Sequence, residues 1–348
     1  RPPRSTLFPY TTLFRSIATL RALFSAGFSV LLNTGCDPVL ERPQAVLTAI
    51  PTDAKIEAFA VGIHGATVVE TIPGDLATLN PLVNESAAGS AAIGRILDNL
   101  ITLDPETGAV IPNLAKSWDI SKDNLQYTFH LRRGVHWSDG QPFTAEDVVF
   151  TWGTFFAKER DPVTGEPLRT ENGTFQYRYN SRSTFGQMIN GQEPLVELLD
   201  DYTVRFTTPE VYAPFLLFGG GVELLPKHIL QGAFEDGTLM DQWSVDTAIQ
   251  EPWKIVGLNM FVLESYRPGE RIVFKRNPNY WKIDSDGQRL PYVERIITKI
   301  VQDVNSSNVA FAQGLTDFES IAPDNVAWVK RGEERFDYTI LDMGPSST

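Results

Sequence analysis

From Gln126 to Leu131 apolar and polar residues alternate, with Tyr127, Phe129 and Leu131 on one side and Gln126, Thr128 and His130 on the other. That period of two predicts a strand with one buried face. Gly134 and the pair Asp139-Gly140 mark two turns with a short strand between them. Thr144 followed by Asp147 three residues later is a capping box, and Phe143 and Val148 stand at the two positions of a hydrophobic staple. A helix is therefore predicted from Ala145, with Val148, Val149 and Trp152 on its apolar side. Elsewhere the pattern predicts a buried strand over 66–71, ended by Pro73-Gly74, and a helix from Ser90 carrying Ile93, Ile96, Leu97 and Leu100 at helical spacing. A strand follows over 202–207, and a helix starts at Pro226, a residue tolerated in a first turn. Phe261, Leu263 and Ser265 then face Arg271, Val273 and Lys275 across the hairpin turn Arg267-Pro268-Gly269-Glu270. Further strands are expected over 295–301 and 337–341, whereas 158–192, polar and without period, reads as long surface loops.

Length and charge narrow the function. The 348 residues, 42% of them apolar, suffice for two domains with a sizeable core. With 43 acidic and 30 basic side chains the formal net charge is −13, which argues against nucleic acid and against docking on an anionic membrane through protein charge. One cysteine, Cys36, permits neither an internal disulfide nor a thiolate zinc site. Upstream of it, Arg21 precedes the apolar run 22–32, which has signal-peptide length and is too short to span a membrane. Residues 37–65, with Pro38, Pro43 and Pro51 and no sustained period, read as a mobile linker.

Ala115-Lys116-Ser117-Trp118, Tyr127-Thr128-Phe129 with Leu131-Arg132, Trp137-Ser138-Asp139-Gly140 and the run Pro142 to Val148 together resemble the signature of the family 5 extracellular solute-binding proteins. About twenty positions agree in order and spacing within one segment, which sets this apart from an isolated capping box. Pro226-Lys227-His228, the run Phe261 to Trp281, and Ala310-Phe311 with Gly314 and Asp317 resemble later parts of the same family. The resemblance implies an α/β fold of the periplasmic-binding-protein type II kind, with mixed sheets in two lobes. It implies domain I over 66–105 and 202–348, incomplete, and domain II over 106–201, with the closing lobe largely missing and needing on the order of 150 more residues. The implied function is the substrate-binding component of an ABC importer, a monomer that captures peptides and delivers them to permease subunits, without a cofactor and without catalysis. Sugar, opine or nickel-chelate binding on the same scaffold is the alternative, as is an exported hydrolase or interaction protein that has reused it. Asn33-Thr34-Gly35-Cys36 resembles a bacterial lipoprotein signal over 17–36, with Cys36 lipidated and the protein held at the membrane in the periplasm or on the cell surface; a plain secretory leader is the other reading. Residues 1–16, with Thr-Leu-Phe at Thr6 to Phe8 and again at Thr12 to Phe14, resemble translated adapter sequence and are expected to lie outside the fold.

By the resemblance, the first strand leads into the ligand cleft, which puts Thr78, Leu79 and Asn80, then Asn84, Glu85 and Ser86, forward as ligand-binding residues. Glu85 suits a ligand amine. Asn84 to Ser86 also suit a helix cap, since Asn and Ser are favoured there. Leu258, Asn259 and Met260 stand where family members carry a Gly-Thr-Gly-Pro loop and are the remaining candidates, although only Gly257 of that pattern is present. The four histidines, His64, His130, His136 and His228, have no metal-ligand spacing. Asp284-x-Asp286-Gly287 lacks the glutamate of a calcium loop, with Arg295 in its place, so a polar turn is expected and no metal. Gly219-Gly220-Gly221 lacks the lysine of a phosphate loop and reads as a flexible crossing near the cleft. Trp118, Trp137 and Trp152 are expected in the core more than in the cleft, given the area each must bury.

Overall fold

The computed structural model describes residues 11–15, 46–57, 61–104, 107–179, 186–321, 330–332 and 338–341, so Cys36 and the leader lie outside the described residues. In chain order the elements are β1 (Thr11–Arg15), β2 (Gly65–Pro73), α1 (Ala87–Ile96), β3 (Ile101–Leu103), β4 (Val110–Pro112), β5 (Ala115–Ile120), β6 (Gln126–Leu131) and α2 (Ala145–Phe155). They continue with β7 (Leu195–Asp200), β8 (Thr203–Thr207), α3 (Phe215–Gly220), α4 (Lys227–Asp236), α5 (Val245–Gln250), β9 (Phe261–Arg267), β10 (Arg271–Arg276), β11 (Val293–Val301), α6 (Val304–Ala312), β12 (Phe318–Ile321) and β13 (Tyr338–Leu341).

Two four-stranded sheets organise them. The first has the order β2-β11-β10-β9 and is mixed: β2 runs parallel to β11, placing Glu70 opposite Thr298, while β9, β10 and β11 are antiparallel neighbours. The second, β5-β6-β8-β7, is antiparallel throughout. The alternation along β6 is realised, since Tyr127, Phe129 and Leu131 are buried while Gln126 is exposed. Thr144 and Asp147 close the capping box of α2, whose Trp152 stacks edge-on against Phe206 of β8 with ring centroids 5.1 Å apart. β8 belongs to this second sheet because its ladders with β6 and β7 hold it there, so the second unit reaches at least Thr207, beyond the expected boundary at 201. β1, over 11–15, lies between β12 and β13 in a three-stranded sheet.

Several elements differ from the sequence pattern for local reasons. α1 begins at Ala87, three residues before the expected start, because Ser86 caps it by accepting from the Gly89 amide at 3.0 Å. The expected short strand after Gly134 shrinks to a single bridge between His136 and Pro142. The 158–192 region is less irregular than its composition predicts, with cross-chain bridges Lys158–Tyr177, Arg160–Pro167 and Arg169–Phe175.

The turn Trp137 to Gly140 is the knot between the sheets. Ser138 donates its amide to Gly257 O at 2.9 Å and accepts the Gly257 amide on its hydroxyl at 3.2 Å. Asp139 pairs with His228 of α4 at 2.7 Å. Burial alone would raise the Asp139 carboxyl, but hydrogen bonds from His228 and the Gln141 amide, together with the His228 charge, hold it below the usual carboxylate range. Trp137 is fully buried and donates to Asp147 at 3.2 Å. Below the knot, buried Asp98 accepts from Asn99, Asn113 and Trp281. Desolvation pushes its pKa up, against the pull of Lys282 and these donors.

Residues 46–57, expected within a mobile linker, lie across this knot instead. Asn279, itself buried, donates to Val46 O at 2.7 Å and accepts from the Thr48 amide at 2.9 Å, and Arg289 donates to Thr48 O at 2.8 Å. Asp53 pairs with Lys116 at 3.1 Å, while its carbonyl accepts from Arg132 at 2.8 Å. Lys55 and Glu57 exchange backbone hydrogen bonds with Ile283. Lack of period did not reveal this, because most of the segment is held by side chains reaching its backbone and only Ile56 forms a strand-like bridge, with Ile283.

Candidate functional site

The segment that leaves β2 is anchored at once: Asp75 accepts from the Tyr266 hydroxyl at 2.5 Å and from the Gly269 amide at 2.6 Å. Burial, with the Asp75 hydrogen bond and charge behind it, pushes the Tyr266 phenol well above its ordinary value. The chain then pairs with the residues before α5, since the Leu79 amide donates to Trp243 O at 2.9 Å and the Thr78 hydroxyl reaches the same carbonyl at 3.3 Å. Leu79 and Asn80 are 1% and 3% exposed. Asn80 spends its side chain on Leu239 O, at 2.8 Å, and on the Leu82 amide, at 3.0 Å. These three side chains are thus committed to the fold and set the path of the loop beyond them.

That loop ends at the N-terminus of α1. Asn84 accepts from the Ser86 amide and hydroxyl at 3.2 and 3.0 Å and donates to Ser86 O and Ser90 Oγ. The capping alternative for Asn84 and Ser86 is therefore realised in the structure. Glu85, between them, is exposed. Leu258 is fully buried, and Asn259 sits at the far end of α1, donating to Gly94 O and Leu97 O at 2.7 and 3.0 Å; Met260 is exposed. The ten residues of α1 separate the two groups of candidates by about 15 Å at 1.5 Å per residue, so they do not converge on one point.

Two cavities flank the loop. One, of about 150 Å³, is lined by Pro81, Leu82, Phe155, Leu217, Phe218, Gly221 and Val222, whereas Gly219 and Gly220 are buried in α3, a correction to the flexible crossing expected over Gly219-Gly220-Gly221. The other, of about 270 Å³, runs between α1 and the end of β2, with Ala88 and Ala91 on one wall and Phe318 and Glu319 on another. Its floor was not legible in the sequence. Arg95 makes a bidentate pair with buried Glu70 (the Nη2–Oε2 distance is 2.8 Å), donates to Thr298 at 3.0 Å and lies over the Phe274 ring. Beside it the Thr71 hydroxyl is 2.6 Å from Glu319 and 2.9 Å from Ser307. Only the register of β2 against β11 and the turn of α1 bring these residues together, and no local motif announces them.

The remaining chemistry is structural. His64 contacts Arg276, His130 pairs with Asp119, His136 with Gly134 O, and His228 with Asp139. Asp284 makes the expected polar turn, accepting from the Asp286 and Gln288 amides. Among the described residues no group of three or more His, Cys, Asp or Glu could hold a metal, and no helix is long and apolar enough to cross a membrane.

A family profile described as bacterial extracellular solute-binding proteins, family 5, middle, matches residues 109–339. The chain belongs to this family. Family 5 binding proteins are periplasmic or extracellular. Among curated relatives, the chain is 33% identical over 243 residues to the periplasmic alpha-galactoside-binding protein of Rhizobium meliloti, covering 68% of this chain and 32% of that one. It is 28% identical to the periplasmic oligopeptide-binding protein OppA of Escherichia coli, covering 76% of this chain and 43% of that one. Among solved structures it superposes on the periplasmic binding protein MelB of Agrobacterium fabrum, in complex with stachyose, with a TM-score of 0.63 at 25% identity, covering 81% of this chain and 42% of that one. The family 5 chain thus spans less than half the length of these relatives, and its α/β fold is theirs over that span.

Proposed function

We propose that this chain captures a solute for an ABC importer and delivers it to permease subunits, acting as a monomer and without catalysis. The observation that carries this reading is the family match over 109–339 together with the fold. On this reading the loop 78–86 borders the cleft, with Glu85 as the ligand-facing carboxylate and Asn84 and Ser86 fixing its position. Leu79, Asn80 and Leu258 support the loops from beneath, and Met260 lies at the rim. The protein works in the periplasm or at the cell surface, tethered through lipid on Cys36. Peptides are the first ligand class, supported by the oligopeptide-binding relatives. A second reading, an oligosaccharide containing α-galactose, is favoured by the 33% identity to the alpha-galactoside-binding protein and by the superposition on the stachyose complex.

Native mass spectrometry of the full-length gene product, paired with thermal shift, separates the two. A co-purifying peptide mixture, or a rise in Tm with peptide pools, supports peptides. A rise with raffinose or stachyose alone assigns the sugar. An empty protein indifferent to both sinks both ligand assignments. If peptides bind, Glu85→Gln should weaken binding of a peptide with a free amine by about tenfold, the order of a charge-assisted hydrogen bond, and leave the Tm of the free protein unchanged.

A further inference from the structure

We infer that residues 46–57 act as a strap that locks the two sheet units into one rigid body. The contacts reach both of them. Asp53 binds the second unit through Lys116, Arg132 and the Arg133 amide, at 3.1, 2.8 and 3.3 Å. Val46, Thr48 and Lys55 bind the first through Asn279, Arg289 and Ile283. Between these ends the strap roofs the two turns of the signature. Gly134 has φ +76°, and a Cβ added there would meet Pro51 Cα at 3.4 Å; a Cβ on Gly140, φ +93°, would meet Val46 Cβ at 3.0 Å.

The strap adds to a seam that the two units also form directly, since their buried side chains belong to one core and Arg132 lies over the Trp281 ring at 5.3 Å. Ser138 and Gly257 exchange a single pair of hydrogen bonds, and Asn279 reaches Ser138 O only at 3.4 Å. Asn279 is the shared member: one buried amide serves the strap on both sides and touches the knot. Losing the strap leaves the Asn279 side chain without its two best partners and opens the turns beneath to water. The strap therefore acts on the seam, and not merely on itself.

Hydrogen exchange on the whole chain tests this without any ligand, so its outcome is independent of the transport reading. In Asp53→Ala/Asn279→Ala, peptides covering 46–57 should exchange freely, and those covering 136–142 and 255–260 should speed up by about tenfold or more. Peptides from the β9–β10 turn should not change. A strap that already exchanges freely in the unaltered protein, or one released in the variant with no change at 136–142 and 255–260, overturns the proposal. Lys116→Ala removes only the half-exposed ion pair and keeps the fold. It should accelerate the strap and seam peptides together by about two- to threefold, and acceleration of the strap alone would count against the lock.

Discussion

Gly257→Ala offers a severe test of how the two units meet. A Cβ at this position would lie 1.9 Å from the carbonyl oxygen of Ile96 and 2.6 Å from Ile96 Cγ2. The first contact is with backbone at the end of α1, so no side-chain rotation relieves it. Either the loop moves away, losing up to three hydrogen bonds (Ser138 to Gly257 O, Gly257 to Ser138 Oγ, Asn259 to Ile96 O), or α1 is displaced. Three hydrogen bonds at about 0.5–1.5 kcal/mol each, or overpacking at about 1–3 kcal/mol, give a loss near 3 kcal/mol by either route. At about 2–4 °C per kcal/mol for a chain of this size, Tm should fall by about 6–12 °C. Alanine also restricts the unfolded chain, which works the other way by about 0.4–1 kcal/mol. Gly94→Ala controls for that term, because Gly94 is in the interior of α1 and a Cβ there meets nothing within 4 Å. This second variant should gain up to about 1 kcal/mol from helix propensity. Differential scanning calorimetry of the pair decides the matter. A Gly257→Ala protein melting within about 2 °C of the parent would refute the close approach and the role given to the knot.

Other outcomes follow from the same geometry. Asp139 has a depressed folded pKa, so its contribution to stability is present above the unfolded value near 3.9 and is lost as pH falls through the lower folded value; Asp139→Asn should flatten stability against pH below about pH 4, read from urea midpoints. Glu70→Ala strands the Arg95 guanidinium, which is only partly exposed, and should cost about 2–4 kcal/mol, whereas Glu270→Ala, removing exposed pairs with Arg267 and Arg271, should cost less than about 1. Thr144→Ala breaks the capping box of α2 and should cost about 1 kcal/mol in denaturant melts.

What could be read in advance was what local pattern encodes. The alternation of β6, the Thr144–Asp147 box and the Arg267–Glu270 turn each specify their element within a few residues, and each is found where expected. The family likewise followed from one continuous stretch. The Arg95–Glu70–Thr298 cluster was illegible, because its members lie 25 and 203 residues apart and meet only through the parallel register of two strands. Leu79 and Asn80 were put forward as ligand-binding residues, and sequence alone does not show that Leu79 is buried or that the Asn80 side chain is spent on Leu239 O and the Leu82 amide. Strand β7 was hidden for a related reason. Leu195, Leu198 and Leu199 are all exposed at the edge of the second sheet, so no alternation between a buried and a solvated face exists to be detected.

The strap also changes the length of the leash. On the proposed lipid anchor, a free linker over 37–65 would let the body wander up to about 100 Å from the bilayer, at some 3.4 Å per residue. With 46–57 fastened to the body, only the nine residues 37–45 remain between Cys36 and the first attachment point, a reach of at most about 30 Å. On that proposal the attachment point at Val46 would stay within that distance of the membrane. The proposed permease would then meet the body at a high effective concentration set by the short tether.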